Sequence, residues 1–158
     1  MSALDLHGLL GRLVEHDVEF VIIGGVAVAA HGYVRTTADL DLVPEPSSQN
    51  ADRLARALSS LEATLPEAGG RSFVAARDVT ALQRRRNVTL DTIFGEVDIV
   101  QAVAGVPSFT ALAKDAAQAE LLGVPVRVTS LAHLRQMKSA RDTAQDRADL
   151  ENLPDDEG

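Results

Sequence analysis

The chain of 158 residues contains no cysteine. That excludes a disulfide framework, a cysteine-ligated zinc or iron–sulfur site and a cysteine nucleophile. It suits a cytoplasmic protein. Aromatic residues make up only 3%, so a core must be built from Leu, Val, Ile and Ala. Long apolar runs are missing as well. The longest near-apolar stretch, Phe20 to Ala30, covers 11 residues, well short of the ~20 that span a bilayer, and no membrane association is expected. Met1 to Leu10 carries Asp5 and has no positive start before an apolar run, so it does not read as a signal peptide. Positive charge is scarce. The 15 Lys and Arg face 23 Asp and Glu, leaving a net charge of −8. This disfavours a protein that coats nucleic acid, but not a site at which metal ions supply the positive charge.

What remains is an ordinary globular balance, 46% hydrophobic and 24% charged, in a length typical of one domain. The spacing of Leu6, Leu9, Leu10, Leu13 and Val14 predicts an amphipathic helix over Asp5 to Glu15. Phe20 to Ile23 reads as a buried strand ended by Gly24-Gly25, and Val26 to His31 as a short helix stopped by Gly32. Leu40 to Val43 reads as a second strand, Ser47 to Leu61 as a helix, and Glu62 to Arg77 as turn-rich. Asn87 to Phe94 and Glu96 to Val103 predict a hairpin around Gly95; Ala119 to Leu122 and Val124 to Val128 predict another at Gly123. A short helix is expected over Ser108 to Lys114. Leu131 to Ala140 and Thr143 to Leu153 read as one interrupted helix or two. Strands and helices mix without regular βαβ alternation, which predicts an α/β or α+β domain with a mixed β-sheet flanked by helices and a C-terminal helical segment.

The chemistry concentrates between Gly24 and Leu42, GGVAVAAHGYVRTTADLDL. Asp39 and Asp41 lie two apart on an expected strand, so both carboxylates project from one face, roughly 7 Å apart at the backbone. Leu40 and Leu42 then point to the core. A lone D-x-D is most often a solvated face. Here Val97-Asp98-Ile99 repeats the pattern with a third acid, and if its strand lies beside Leu40 to Val43 the three carboxylates converge. Such a set needs a cation, and oxygen-only ligands suit magnesium or calcium. The glycine pair opens a helix after a strand, where backbone N–H groups can meet a phosphate. It is not the dinucleotide-binding fingerprint.

This layout resembles the DNA polymerase β-type nucleotidyltransferase superfamily: Gly24-Gly25, then Gly32, Arg35 and Thr37, then Asp39-Leu40-Asp41, and Asp98 far downstream. The string is most similar to the small AbiEii-type and related toxin–antitoxin nucleotidyltransferases of bacteria. Met137-Lys138, Arg141 and Asp146-Arg147-x-Asp149-Leu150 are similar to that family's ending. The resemblance implies Mg2+ or Mn2+ held by Asp39, Asp41 and Asp98, with Asp98 acting as base or second-metal ligand. It implies a nucleoside triphosphate bound by Gly24 and Gly25 with Arg35 and Thr37, and by Lys138 supported by Asp146. It implies a nucleotidyltransferase core over 1–105, a hairpin and helical extension over 106–153, and an acidic tail over 154–158. The chain departs from the pattern at Val26, where many members carry Ser or Thr, and at Gln145, where the family has lysine.

The activity implied is transfer of a nucleoside monophosphate to RNA such as tRNA, or to a protein, in the toxin of a toxin–antitoxin pair with a cognate antitoxin. Two alternatives stand beside it. One is a non-catalytic nucleotidyltransferase-like binding partner. The other is an antibiotic-type small-molecule nucleotidyltransferase, ranked lower because Val26 to Ala30 carries no acid. Arg35 is read equally as a structural bridge to Asp39 or Asp41 and as a phosphate contact. Arg84-Arg85-Arg86 reads first as a solvated face, and His31 as a helix-end packing residue.

Overall fold

The computed structural model describes residues 3–155; Asp156 and Glu157 of the acidic tail lie outside them. Helix α1 (Leu6–Glu15) starts where the Asp5 side chain accepts a hydrogen bond from the Gly8 N–H, and it buries Leu9, Leu10 and Leu13. Strand β1 (Phe20–Ile23) is buried along its whole length and runs directly into α2 (Gly24–Ala30). Strand β2 (Asp39–Pro44) follows, then α3 (Ser48–Ser60), capped by Ser47.

The stretch after α3 is more ordered than its composition suggests. It forms the short strands β3 (Thr64–Leu65) and β4 (Arg71–Ser72) and then α4 (Ala75–Gln83). The residue preceding α4 is Val74, which has no capping side chain, so the usual start signal is missing. Asp78 does the work from inside the first turn: it accepts the Val74 N–H at 2.7 Å and both Arg71 Nη atoms at 2.9 and 3.0 Å. Those cationic and backbone donors hold its carboxyl well below the ordinary carboxylate range, with Arg71 contributing most.

Both expected hairpins form, β5 (Val88–Thr92) with β6 (Gly95–Ile99), and β7 (Ala117–Leu121) with β8 (Val124–Val128), separated by α5 (Phe109–Asp115). The C-terminal stretch is two helices, α6 (Leu131–Arg141) and α7 (Ala144–Asn152). Asp142, at φ 52°, breaks the path between them, and a Thr143–Asp146 capping box restarts it.

The strands make one mixed sheet in the order β4-β3-β5-β6-β2-β1-β8-β7. Alternation along β1 and β2 separates its two faces. Ile22, Leu40 and Leu42 join the leucines of α1 and α3 in the main core. Val21, Ile23 and Val43 join Leu112 of α5 in a smaller cluster on the other face. Each fully buried Leu contributes roughly 1.5–3 kcal/mol, so the main core sets the strand register, and register decides which side chains the opposite face displays. Among the described residues no helix is long and apolar enough to cross a membrane.

Candidate active site

Asp39 and Asp41 occupy the face of β2 opposite Leu40 and Leu42, both of which are fully buried. Strand β6 pairs with β2 in parallel, with Asp98 level with Asp41 and Val97 level with Leu40. The condition set by the sequence is therefore met. Asp39, Asp41 and Asp98 each offer a carboxylate oxygen, and these oxygens lie within 4.8 Å of one another.

The electrostatics of this cluster are those of a site short of positive charge. Burial pushes the Asp39 carboxyl up from 3.8 to about 8; the adjoining Asp98 side chain and the charges of Asp41, Asp98 and Glu96 add to it. Burial likewise pushes Asp41 up to about 6, with the Asp98 charge next, while Asp39 and the distant charge of Arg141 oppose the rise. Asp98 Oδ1 is buried and has no hydrogen-bond partner among the described residues. An orphaned oxygen in a desolvated set of three carboxylates fits a hard divalent cation with oxygen ligands.

The glycine pair is explained by close packing. Gly24 has φ +70°, and a Cβ there would overlap Asp41 Oδ2 and sit 2.9 Å from Asp41 Cγ. A Cβ on Gly25 would lie 2.9 Å from Thr37 Cγ2 and 3.2 Å from Arg35 Nη2. Gly24→Ala is thus expected to lower stability by about 2 kcal/mol or more, through the left-handed backbone and the overlap. It also displaces the Asp41 carboxylate. Thermal unfolding with and without Mn2+ reads both effects; an alanine variant with unchanged melting and an unchanged Mn2+ response contradicts this packing.

Arg35 does not bridge Asp39 or Asp41. Its Nε and Nη2 donate to Asp149 at 2.8 and 2.9 Å, and its Nη1 donates to the Thr36 carbonyl at 3.2 Å. Thr37 supports the same turn, donating to the Arg35 carbonyl at 3.4 Å. Lys138, only 5% exposed in its side chain, places Nζ 3.2 Å from Asp146 and 3.0 Å from Asp149, two fully buried acids. Arg141 Nε and Nη2 donate to Asp146 at 2.7 Å each. Burial alone would raise the Asp146 carboxyl, but Arg141 and Thr143 hold it far below the ordinary range. Asp149 is likewise lowered, burial being outweighed by Arg35, Lys138 and Gln145.

A cavity of about 300 Å³ lies between the two clusters. Asp41, Asp98 and Gly24 line one side, Lys138, Arg141 and Asp146 another, and Val103, Leu134 and Met137 belong to an apolar wall. Val26, the departure at the glycine pair, is buried in the main core and does not face this space. His31 is a packing residue: its Nε2 lies 2.7 Å from the Thr129 carbonyl oxygen, joining the end of α2 to the residue after β8. Sequence reasoning left Arg141 out of the site. It stands in the C-terminal stretch singled out from the sequence, but no local pattern shows that its side chain reaches the cavity.

Solved structures share a similar fold. A protein from Thermotoga maritima, described as a candidate nucleotidyltransferase, superposes with a TM-score of 0.58 at 15% identity, over 92% of this chain and 88% of that one. The chain has a nucleotidyltransferase fold. The antibiotic-resistance factor ANT(2'')-Ia gives 0.55 at 17% identity, over 94% of this chain and 74% of that one. An antigenic nucleotidyltransferase-like protein from Paracoccidioides brasiliensis gives 0.51 at 15%, over 91% and 69%. No protein-family model and no curated protein sequence matches the chain.

Proposed function

We propose that the protein is a metal-dependent nucleotidyltransferase, transferring a nucleoside monophosphate from a triphosphate to RNA such as tRNA, or to a protein, as the toxin of a bacterial toxin–antitoxin pair. The observation that carries the enzymatic part is the convergence of Asp39, Asp41 and Asp98 beside a cavity whose other side holds Lys138 and Arg141. Three acids facing two cations across a gap suit a substrate that is itself anionic and brings metal with it.

In this reading Asp39, Asp41 and Asp98 hold Mg2+ or Mn2+. When bound, such ions clamp a triphosphate and lower the pKa of an attacking hydroxyl. The chain's own residues do the rest. Gly24 keeps the Asp41 carboxylate against the start of α2, and the Asp98 carboxylate accepts the acceptor hydroxyl's proton. The acceptor oxygen bonds to the α-phosphorus, the bond to the bridging oxygen breaks, and pyrophosphate leaves with its electron pair. Gly25, Thr37 and Arg35 fix the turn that leads into Asp39.

The antibiotic-type alternative is weaker here because α2 contributes no acid to the site. The non-catalytic alternative leaves three desolvated carboxylates with no function to justify their cost. The deciding assay incubates the protein with each α-labelled triphosphate and Mg2+ or Mn2+, offering total RNA, protein or an antibiotic panel as acceptor, with Asp41→Ala alongside. Label on RNA or protein, lost in the variant, is the expected result. Label on antibiotics alone shifts the acceptor class, and transfer that survives Asp41→Ala removes the metal-site assignment.

A further inference from the structure

Resting on the nucleotidyltransferase reading, we propose that Arg141 is the cation that binds the triphosphate's terminal phosphates, while Lys138 is a positioning residue that holds the acids behind it. Both cations line the cavity, but they are spent differently. Lys138 is buried between Asp146 and Asp149, within 3.2 Å of each. An ammonium held by two carboxylates has little charge left to offer. Arg35 is spent as well, with Nε and Nη2 on Asp149 and Nη1 on a backbone carbonyl.

Arg141 differs on three counts. Its side chain is 62% exposed. Its Nε and Nη2 are locked onto Asp146, whereas Nη1 has no protein partner among the described residues. A guanidinium fixed by one bidentate contact is pre-oriented, and its remaining edge can donate to a phosphate without further ordering of the side chain. It also lines the same cavity as Asp41 and Asp98, so its free edge opens on the space beside the metal-binding acids. The cluster holds three cations, Arg35, Lys138 and Arg141, against two acids, Asp146 and Asp149. The surplus positive charge emerges at the exposed member. Loss of Arg141 leaves Asp146 paired with Lys138 and bonded to Thr143, so the fold tolerates the test.

The test uses Mg2+–tripolyphosphate, which carries no base, and each of the four nucleoside monophosphates with Mn2+, measured by calorimetry on the full chain. Arg141→Gln is expected to weaken tripolyphosphate binding about tenfold or more, the scale of one or more charged hydrogen bonds. Monophosphate binding should stay within about twofold, and Arg141→Lys should regain part of the loss. Thermal unfolding accompanies each variant. Unchanged tripolyphosphate affinity in both variants overturns the assignment. So does an Arg141→Gln variant that melts early and weakens both probes equally, which marks a structural role. If the wild-type protein binds neither probe with either metal, the nucleotidyltransferase reading fails, and this inference with it.

Discussion

Asp39→Asn is expected to reduce metal-dependent transfer by about 10³-fold or more and, in the same protein without metal, to raise the melting temperature at pH 8. The first effect follows from losing an anionic ligand where bound metal supplies several kcal/mol of charge stabilisation. The second follows from the sign of the titration. The Asp39 carboxyl is raised from 3.8 to about 8 in the folded protein, chiefly by burial. Its ionised form is therefore better tolerated in the unfolded chain. Stability is undiminished below pH ~4 and is lost progressively as pH rises toward 8. Asp41, raised to about 6, acts in the same sense over the lower part of that window. An asparagine at position 39 carries no charge and escapes the loss. Added Mn2+ displaces protons from the acids, so it should raise the wild-type melting temperature more at pH 8 than at pH 5.5, and the Asn variant should respond weakly at both. A variant that melts earlier than wild type at pH 8 without metal would show that Asp39 stabilises the fold and has no need of a cation.

The site was legible in the sequence to the extent that its parts are local. Gly24 and Gly25 open the short helix after β1, Asp39 and Asp41 lie on the next strand, and β-alternation alone puts both acids on one face. Asp98 was legible only conditionally. Its alignment with Asp41 depends on β6 returning beside β2 after α3, β3, β4, α4 and β5, and nothing near Asp98 specifies that neighbour. Helix α4 escaped because its cap is an internal acid paired to an arginine seven residues upstream. The partner of Arg35 lies 114 residues away, beyond any spacing argument. The departure at Gln145 also has a physical reading. Its Nε2 donates to Asp149 Oδ1 at 2.9 Å, so a neutral donor completes a cluster that already holds three cations.

Asp146→Ala carries the largest expected stability effect in the C-terminal half. The Asp146 side chain is fully buried and receives Lys138, both ends of the Arg141 fork, and the Thr143 N–H and hydroxyl. Removing one member of a buried ion cluster costs about 3–5 kcal/mol, and losing the helix cap about 1 more. At roughly 2–4 °C per kcal/mol for a chain of this size, the melting temperature should fall by on the order of 10 °C at pH 7. Asp146→Asn, which keeps an acceptor for Thr143, should fall less. The Asp146 carboxyl is lowered in the folded state, so its contribution is present above pH ~4 and disappears as pH falls further. The gap between wild type and Asp146→Ala should therefore close in acid, and a gap that persists unchanged to pH 2 would assign the loss to packing instead of charge. This slope is opposite to that of Asp39 and Asp41 across the cavity. One cluster loses stability on acidification because it is rich in cations; the other loses it toward pH 8 because it lacks them. The metal-free protein should accordingly be most stable near pH ~4, losing stability on either side, and a divalent ion, by supplying what the acids lack, should extend that optimum upward toward pH 8.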